Sequence, residues 1–382
     1  MEPSLLILAG GLGSRYGGLK QVDGFGPNKE AILDYSIFDA MRGGFKKFII
    51  LTTEELTKYF EEKYIPIFKK FENVRYDIVP QPMNYGLGNH NLPSNRIKPW
   101  GTGHAVICCE NVIKEPFATI NADDFYGLGG YKQMYDMLIN IEDSNLSACI
   151  VSYLIKNTLS KNGEVSRGVC NVDEKFLKGI KETHKIKLDE NDNKIYGLLN
   201  ETDKIQIDQN QQVSMNLFGF RKSFVSHLKN EFENFLNSNI NHLTKEFLLP
   251  EILNSLIDEN KKIYVNNVNE EWFGITFKED KPEVIQKINR LIKENKYPVS
   301  LWWTKLFNLK KILITGGLGY IGSHTSVLLL EKNYEIIIID NLSNTEINVL
   351  ESIHSITSKK PEFFNCDITN YKKLYYIFKK NN

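Results

Sequence analysis

Residues 8 to 20 read Leu-Ala-Gly-Gly-Leu-Gly-Ser-Arg-Tyr-Gly-Gly-Leu-Lys, and this stretch decides the fold class of the first part of the chain. The apolar run Leu5-Leu6-Ile7-Leu8 leads into it and predicts a buried strand. After it, residues 31–41 carry apolar side chains at helical spacing. The glycines let backbone N–H groups approach an anion, and Arg15 and Lys20 add two cations that suit a polyphosphate. The stretch therefore predicts a strand, a phosphate-binding loop and a helix, although the glycines alone would also fit a plain tight turn.

The composition bounds the class of protein. The chain has 382 residues, which corresponds to two or three domains, and its 42% hydrophobic content suffices for packed cores. The formal net charge is zero, which gives no electrostatic reason to expect a nucleic-acid partner. The sequence has no apolar run of about 18 residues, so no membrane span is expected, and no signal-peptide pattern precedes the first strand. The five cysteines lack metal-ligand spacing, so we expect reduced core thiols in a cytoplasmic protein.

Strands and helices alternate through the first half of the chain. Apolar runs at residues 48–51, 74–79 and 117–120 predict strands, with helical spacing between them. This alternation predicts a parallel sheet covered by helices, in which ligands bind at the carboxyl ends of the strands. Asp123 follows the last of these runs, so we expect it to lie beside the glycine-rich loop. Shorter strands are predicted for residues 147–220, and helices for 224–235, 245–257 and 285–293.

An irregular segment, residues 80–99, contains four prolines and leads into Gly101-Thr102-Gly103-His104-Ala105. Long loops in compact domains are often functional. Two glycines and a threonine before a helix would let the backbone approach a flat base or a phosphate. The alternative is an ordinary helix start with Thr102 as its cap, and His104 is expected to pack at that start rather than to act in catalysis.

These motifs together resemble those of the sugar-1-phosphate nucleotidyltransferases, with N-acetylglucosamine-1-phosphate uridylyltransferases as the functional parallel, over residues 5–302. The resemblance implies a three-layer nucleotide-diphospho-sugar transferase fold of the α/β class with a mostly parallel sheet. It implies nucleotide contacts from Leu8, Ala9, Gly10, Gly11, Gly13, Gln81, Gly101 and Thr102. It also implies sugar contacts from Gly168, Glu182 and Asn216, and catalytic roles for Arg15, Lys20 and Asp123.

The physical logic of nucleotidyl transfer agrees with these residue types. Two polyanions must approach each other, so the site needs cations and a metal ion, and no protein nucleophile is required. Asp123 would hold Mg²⁺, a hard ion that prefers a carboxylate and phosphate oxygens. Asp124 fits a second ligand, a turn residue or a helix cap, Glu182 also fits a solvated strand position, and Asn216 also fits a turn. The family's late metal ligand, an Asp or Asn, is absent from residues 272–276, where Thr276 is at best a weak substitute.

A second glycine-rich start follows near residue 311. The apolar run at residues 311–315 predicts a strand, and Gly316-Gly317-Leu318-Gly319-Tyr320-Ile321-Gly322 leads into a predicted helix that extends to Glu331. A further strand at residues 336–339 ends on Asp340. These features resemble the N-terminal part of UDP-glucose 4-epimerase, as do Asp340-Asn341-Leu342-Ser343-Asn344 and Cys366-Asp367-Ile368. The resemblance implies a partial NAD-binding Rossmann fold whose NAD contacts are Gly316, Gly319, Tyr320, Ile321, Gly322, Asp340, Asn341, Asn344, Asp367 and Ile368.

The sequence therefore predicts a nucleotidyltransferase domain at residues 1–302, a linker at 303–309 and a truncated epimerase-like segment at 310–382. We expect transfer of a nucleotidyl group from an NTP, with UTP favoured, to a sugar 1-phosphate, and no 4-epimerase activity. The oligomeric state stays open. The alternatives are a bifunctional or fragmentary epimerase of galactose metabolism, and a non-catalytic nucleotide- or NAD-binding protein.

Overall fold

The computed structural model describes residues 2–11, 23–140, 148–160, 163–189, 191–199, 202–275, 278–302, 312–331 and 334–381. The chain divides into two compact units, Met1–Trp302 and Trp303–Asn382, and each is described by itself.

The first unit alternates strands and helices before it turns to strands alone. Its strands are β1 Ser4–Leu8, β2 Lys47–Thr52, β3 Arg75–Pro80, β4 Phe117–Asn121, β5 Asp124–Phe125, β6 Ala148–Leu154, β7 Val165–Asp173, β8 Phe176–Asp189, β9 Lys194–Leu199, β10 Asp203–Ile207, β11 Gln212–Phe220, β12 Ile263–Val268 and β13 Phe273–Gly274. Its helices are α1 Ile32–Arg42, α2 Glu54–Phe68, α3 Thr102–Cys108, α4 Gly127–Asn140, α5 Phe224–Asn239, α6 Leu249–Asp258 and α7 Lys281–Lys293.

One large sheet organises the first unit. Its strand order is β10-β9-β8-β12-β6-β11-β4-β1-β2-β3, and β7 pairs with both β8 and β11. In the β4-β1-β2-β3 part the strands run parallel, with Leu8 in register with Leu51 on one side and Asn121 on the other. The carboxyl ends of these strands therefore meet at one edge, as predicted.

The expectation of a mostly parallel sheet is correct only for that part. Outside it, β12 and β6 are parallel, whereas β11 pairs antiparallel with β4, β6 and β7, and the series β7-β8-β9-β10 is antiparallel throughout. Short connections account for the β7-β8-β9-β10 series, because a turn of a few residues can join only antiparallel neighbours. The predicted β-rich lobe is thus an extension of the main sheet.

Helices cover the sheet from both sides. On β1, Leu6 joins a buried cluster that includes Val106 of α3, Phe232 of α5 and Leu253 of α6. Successive strand residues face opposite sides, so the buried Ile7 faces away from that cluster. Helices α1 and α4 pack against each other, and α4 also packs against β4, β6, β11 and β12. The result is the helix–sheet–helix layering that the resemblance implies.

Helix α6 begins at Leu249, not at residue 245 as its apolar spacing predicted. The backbone of Phe247 is engaged elsewhere: its N–H donates to Trp100 O at 2.6 Å, and its carbonyl accepts from Gly103 N–H at 2.9 Å. These bonds hold residues 245–248 against the start of α3, which prevents a helical conformation there.

The second unit is a small parallel α/β structure. Its strands are β14 Ile312–Thr315, β15 Ile336–Asp340 and β16 Glu362–Asn365, and its helices are α8 Tyr320–Glu331, α9 Val349–Thr357 and α10 Tyr371–Asn381. The strand order is β14-β15-β16, with both pairings parallel. Ile338 at the centre of β15 is fully buried. In the described parts of both units, no helix is long and apolar enough to cross a membrane.

Candidate functional site

The candidate nucleotide site lies at the carboxyl ends of β3, β1 and β4. Backbone bonds extend the ladders beyond the strands, with Ala9 N–H donating to Leu51 O at 2.7 Å and Gln81 N–H to Thr52 O at 2.8 Å. Ala122 N–H likewise donates to Leu8 O at 3.2 Å. Because these bonds fix the chain just after each strand, Leu8–Gly11, Gln81 and Asn121–Asp124 share one edge of the sheet.

Gly10 and Gln81 are in close contact at this edge. A Cβ atom at Gly10 would lie 2.6 Å from Gln81 Oε1, so only glycine leaves room for the amide in its present position. The other end of the amide faces α3, where Gln81 Nε2 lies 3.3 Å from His104 Nδ1 and 3.5 Å from Gly101 O. The predicted residues Gly10, Gln81 and Gly101 are therefore neighbours in space.

The start of α3 differs from the alternative in which Thr102 caps the helix. Gly101 precedes the helix with a φ of +100°, a conformation that favours glycine. Thr102 is the first helical residue, and its hydroxyl accepts the N–H of Leu249 at 3.0 Å. Thr102 thus ties the start of α3 to the start of α6. His104 is fully buried in this helix, as expected of a residue packed at a helix start.

The turn after β4 holds the predicted metal ligand. Asp123 lies between Ala122 and Asp124 and is partly exposed. Asp124 is in β5, so it is neither a helix cap nor a free turn residue, and its carboxylate accepts the amide of Asn121 at 2.9 Å. The hydroxyl of Tyr126 accepts Asn121 N–H at 3.1 Å and donates to Met215 O at 3.0 Å.

This donor set fits Mg²⁺ held jointly by protein and substrate. Among the described residues, no group of three acidic, histidine or cysteine side chains could enclose a metal ion. Mg²⁺ is usually bound by one or two carboxylates together with substrate phosphates and waters, so it needs no such enclosure. The partly exposed carboxylate of Asp123 can serve in that way, whereas Asp124 is buried.

The three predicted sugar-binding residues lie on neighbouring strands of the β-rich lobe. Gly168 in β7 is in register with Glu182 of β8 on one side and Ser214 of β11 on the other. Asn216 lies two residues beyond Ser214, where the pairing of β11 shifts, and it adopts a positive φ of 64°. Its neighbour Met215 accepts the hydroxyl of Tyr126, which connects this bulge to the turn that carries Asp123. Glu182 is exposed, so both the sugar-binding role and the solvated-strand alternative stay open.

Arg167 is a residue of this region that the sequence analysis missed. Its guanidinium donates to Ser166 O at 2.8 Å and to Thr158 Oγ1 at 3.3 Å, and it lies 4.6 Å from the ring centroid of Trp272. Removal from water lowers its pKa to about 10, opposed by the negative charges of Asp124 and Glu182. The sequence signal was the single charged residue within residues 165–172, placed next to Gly168. Arg167 also lines a cavity of about 200 Å³ together with Trp272 and Gly274.

The late segment also reaches this site. Gly274 of β13 pairs with Asp124 of β5, and a Cβ atom there would lie 2.4 Å from Asp124 Oδ1. Stacking of Phe125 on Phe273, with ring centroids 4.3 Å apart, holds the two short strands together. Thr276, the weak substitute for the family's late metal ligand, lies outside the described residues. So do Gly13, Arg15 and Lys20, whose roles stay predictions.

A larger cavity of about 1260 Å³ shares Glu283 and Lys287 with the Arg167 cavity and is also lined by Phe125. Its charges neutralise each other, since Lys287 pairs with Glu283 at 3.0 Å and with Glu271 at 3.5 Å. Among the described residues, none of the predicted nucleotide- or sugar-binding side chains lines it. It therefore borders the candidate site without including those side chains.

In the second unit, the glycine-rich turn has the close approaches that a dinucleotide-binding turn needs. Gly316 has a φ of +63°, and Gly319 N–H donates to its carbonyl at 3.1 Å. A Cβ atom at Gly322 would lie 2.1 Å from Gly316 O, so the first turn of α8 packs directly on the loop. Tyr320 and Ile321 at the helix start are 84% and 79% exposed, which leaves this end of α8 open to a ligand.

The acidic residues of this unit are in part bonded within the protein. Asp340 is buried, and its carboxylate accepts Leu318 N–H at 3.1 Å and Leu342 N–H at 2.9 Å. Asp367 is exposed and accepts the amide of Asn341 at 2.9 Å. Hydrogen bonds from Thr369, with the one from Asn341, lower the pKa of Asp367 to about 2. Asn344 and Ile368 are exposed on the same unit.

Comparison of sequences finds relatives for the second unit. Residues 313–382 match the family described as GDP-mannose 4,6 dehydratase. The UDP-glucose 4-epimerase of Dictyostelium discoideum is 47% identical over 72 residues, 19% of this chain and 21% of that protein. The UDP-glucose 4-epimerase of Yersinia pestis is 49% identical over 67 residues, 18% of this chain and 20% of that protein. The chain thus spans about a fifth of the length of these curated relatives.

Comparison of structures finds relatives for the fold of the first unit. The inositol-1-phosphate CTP transferase of T. maritima is 15% identical with a TM-score of 0.50, over 75% of this chain and 96% of that chain. A protein from Bacillus anthracis described as a glucose-1-phosphate thymidylyltransferase is 13% identical, also with a TM-score of 0.50, over 75% of this chain and 94% of that chain. The chain therefore combines a fold like that of sugar-1-phosphate nucleotidyltransferases with an epimerase- or dehydratase-like second unit.

Proposed function

We propose that the first unit transfers a nucleotidyl group from UTP or dTTP to a sugar 1-phosphate, with release of pyrophosphate. One observation carries the proposal: the turn that holds Asp123 is bonded to the strand that holds Asn216. Asn121 N–H donates to the Tyr126 hydroxyl, which in turn donates to Met215 O. An edge suited to a nucleotide is thereby held against a lobe with predicted sugar contacts.

The roles of the residues follow from this arrangement. The backbone of Ala9–Gly11 and the amide of Gln81 would contact the base, and Gly101 would allow close approach at the start of α3. Glu182 and Asn216 would accept and donate hydrogen bonds to sugar hydroxyls. Arg15 and Lys20 would neutralise phosphate oxygens, where charge-assisted bonds matter most during transfer.

Asp123 would hold Mg²⁺, which when bound supplies positive charge to the transferring phosphate. No protein side chain has to form a covalent intermediate, because positioning and electrostatic stabilisation suffice for phosphoryl-type transfer. The chain's own contribution is to orient the sugar phosphate towards the nucleotide and to keep both in one site.

The test is release of pyrophosphate by the purified 382-residue chain. UTP, dTTP, CTP, ATP and GTP are each combined with a panel of hexose and N-acetylhexosamine 1-phosphates, with Mg²⁺ and with a chelator. We expect acceptor-dependent release that is largest with UTP or dTTP and absent without metal. A purine preference would refute the base assignment but leave the reaction class. Binding of a nucleotide without any release would instead favour a non-catalytic binding protein.

A second function is proposed for the second unit, namely binding of NAD at the start of α8. The supporting observation is the tight contact between Gly322 and Gly316 O, which brings the helix N-terminus against the glycine-rich loop. The chain spans only about a fifth of the length of its epimerase relatives, so the proposal for this unit is limited to NAD binding. Fluorescence titration with NAD tests the binding.

A further inference from the structure

His104 is fully buried between a loop carbonyl and the amide of Gln81. Its Nε2 lies 2.9 Å from Tyr85 O, and its Nδ1 lies 3.3 Å from Gln81 Nε2. The ring also packs on Phe232, with centroids 5.0 Å apart, which restricts its orientation further. Neither the predicted catalytic roles nor the predicted nucleotide contacts used this residue.

The partner of each ring nitrogen determines the tautomer. A carbonyl can only accept, so Nε2 must carry the proton that it donates to Tyr85 O. Burial, with the positive charge of Arg96, lowers the pKa of His104 to about 4, so the ring is neutral near pH 7. In a neutral ring the second nitrogen is an acceptor. Gln81 Nε2 lies 3.3 Å from Nδ1 and Cys108 Sγ, a weaker donor, lies 3.8 Å from it, so Nδ1 accepts an N–H of Gln81.

This bond fixes which end of the Gln81 amide faces α3. The NH₂ group must face His104, where Gly101 O lies 3.5 Å from the same nitrogen. The amide oxygen consequently faces Gly10. A Cβ atom built on that glycine would lie only 2.6 Å from Gln81 Oε1. An amide that rotates freely presents either end to a ligand, whereas this one presents its acceptor.

We infer that His104 is a positioning residue that locks Gln81 with its oxygen towards the nucleotide, and so selects bases with an N–H donor at ring position 3. Uracil and thymine carry that donor, whereas cytosine has an acceptor nitrogen there. The lone pairs of a locked amide oxygen and of cytosine N3 repel each other, so CTP is rejected. An unlocked amide can turn its NH₂ group to cytosine and accept both. This inference rests on the proposed nucleotide site and names how the site chooses its base.

The test compares the dissociation constants of UTP and CTP, measured by isothermal titration calorimetry with Mg²⁺. His104→Gln keeps a donor that can reach Tyr85 O but removes the acceptor at the Nδ1 position, and His104→Phe removes both. The wild-type chain should prefer UTP, and the ratio of the two constants should fall about five- to tenfold in both variants, as expected for loss of one oriented hydrogen bond. His242→Gln changes an exposed histidine and serves as the matched control, with no change in the ratio.

A double-mutant cycle isolates the coupling. In a Gln81→Ala chain, adding His104→Gln should leave the ratio unchanged, because there is no amide left to orient. An undiminished UTP preference in folded His104→Gln, or an equal further loss in the Gln81→Ala chain, would refute the positioning role.

A measurement on the wild-type chain covers the case in which the variants do not fold. Long-range ¹H–¹⁵N spectra of the histidine rings should show the Nε2–H tautomer for His104, and the Nδ1–H tautomer would overturn the inference. A chain with the expected tautomer that binds neither UTP nor CTP would instead refute the proposed function, and the selectivity role with it. The two failures are therefore distinguishable.

Discussion

The side-chain amide of Asn121 donates to the carboxylate of Asp124 at 2.9 Å, and this bond closes the turn between β4 and β5. Asp124 is also joined to the protein through its backbone, because its carbonyl accepts the hydroxyl of Ser36 at 2.9 Å. The adjacent Asp123 remains partly exposed at the sheet edge. Two neighbouring carboxylates thus have different environments, which suits one for a metal and the other for structure.

This difference predicts opposite effects for two substitutions. Asp123→Asn should lower turnover at least about a hundredfold with little change in thermal stability, since it removes the charge that would hold Mg²⁺. Asp124→Ala should instead lower the free energy of unfolding by about 1.5–3 kcal/mol, because it removes a buried charged acceptor. Pyrophosphate release and urea unfolding, measured on both variants, check the assignment. Near-normal turnover of Asp123→Asn would remove this residue from the mechanism.

Gly10→Ala tests the contact with Gln81. The new Cβ would displace the amide oxygen, which is the end of a flexible side chain, so the fold should survive. We expect weaker UTP binding by about tenfold, because the acceptor no longer faces the base. Gly179→Ala is the matched control, since a Cβ there meets only one atom, at 4.0 Å. Equal UTP affinity in the two variants would show that the Gly10–Gln81 contact has no part in nucleotide binding.

Arg167→Lys tests whether the cation beside Gly168 acts on the acceptor sugar phosphate. Lysine cannot reproduce the fork that bonds Ser166 and Thr158 at the same time, nor the stacking on Trp272. We expect KM for the sugar 1-phosphate to rise about tenfold or more while KM for the nucleotide changes little. Arg290→Lys alters a half-exposed arginine that pairs with Glu271 and should change neither constant. A rise in the nucleotide KM alone would place Arg167 at the other substrate.

The raised pKa of the buried Asp39 carboxyl should make the stability of the fold depend on pH. Asp39 is buried in α1, where burial raises its pKa from 3.8 to about 6 despite the opposing effect of Arg42. The folded state therefore holds this proton more tightly than the unfolded chain. The stability that this provides is complete below about pH 4 and is lost as the pH rises through about 6. The loss corresponds to at most roughly 3 kcal/mol.

The measurement is the urea midpoint of the chain between pH 4 and 7.5, compared with Asp39→Asn. Asparagine stays uncharged and can still accept the hydroxyl of Tyr297, so its advantage over the wild type should grow as the pH rises. Asp136→Asn, at an exposed position of α4, is the control and should track the wild type. A difference between wild type and Asp39→Asn that is constant with pH would contradict the raised pKa.

The nucleotide edge could be predicted from sequence because it depends on local patterns. Apolar runs such as Phe48–Leu51 mark buried strands, and parallel strands necessarily bring their carboxyl ends together. The pairing of Gly168 with Glu182 was less accessible, because β7 and β8 contain register shifts that displace every later pair. The pairing of Gly274 with Asp124 joins residues far apart in the chain, and two-residue strands leave no periodic signal.

The orientation of side chains was the part that sequence could not supply. His104 was correctly expected to pack at a helix start, but its contact with Gln81 depends on where residues 81–101 run between β3 and α3. A cap of its own helix was one of two alternatives for Thr102, and in the structure its hydroxyl instead accepts the N–H of Leu249. The imidazole of His104 and the hydroxyl of Thr102 could each bond several groups nearby in the chain. Which partner each one has in the fold is set by tertiary contacts, with Gln81 and Leu249 respectively.

Gly322→Ala tests the dinucleotide site of the second unit. A Cβ atom there would lie 2.1 Å from Gly316 O and 2.7 Å from Gly317 Cα, and neither backbone atom can move aside without opening the turn. We therefore expect at least a tenfold loss of NAD affinity, given that the loop N–H groups and the start of α8 would no longer face one pyrophosphate. Thr325→Ala is the control, because it removes only a hydroxyl that donates to Ile321 O within α8. The measurement is NAD titration by fluorescence together with pyrophosphate release by the same chains. Transferase activity should be equal in the wild-type chain and in both variants. Unchanged NAD binding in Gly322→Ala would show that the cofactor does not use this turn.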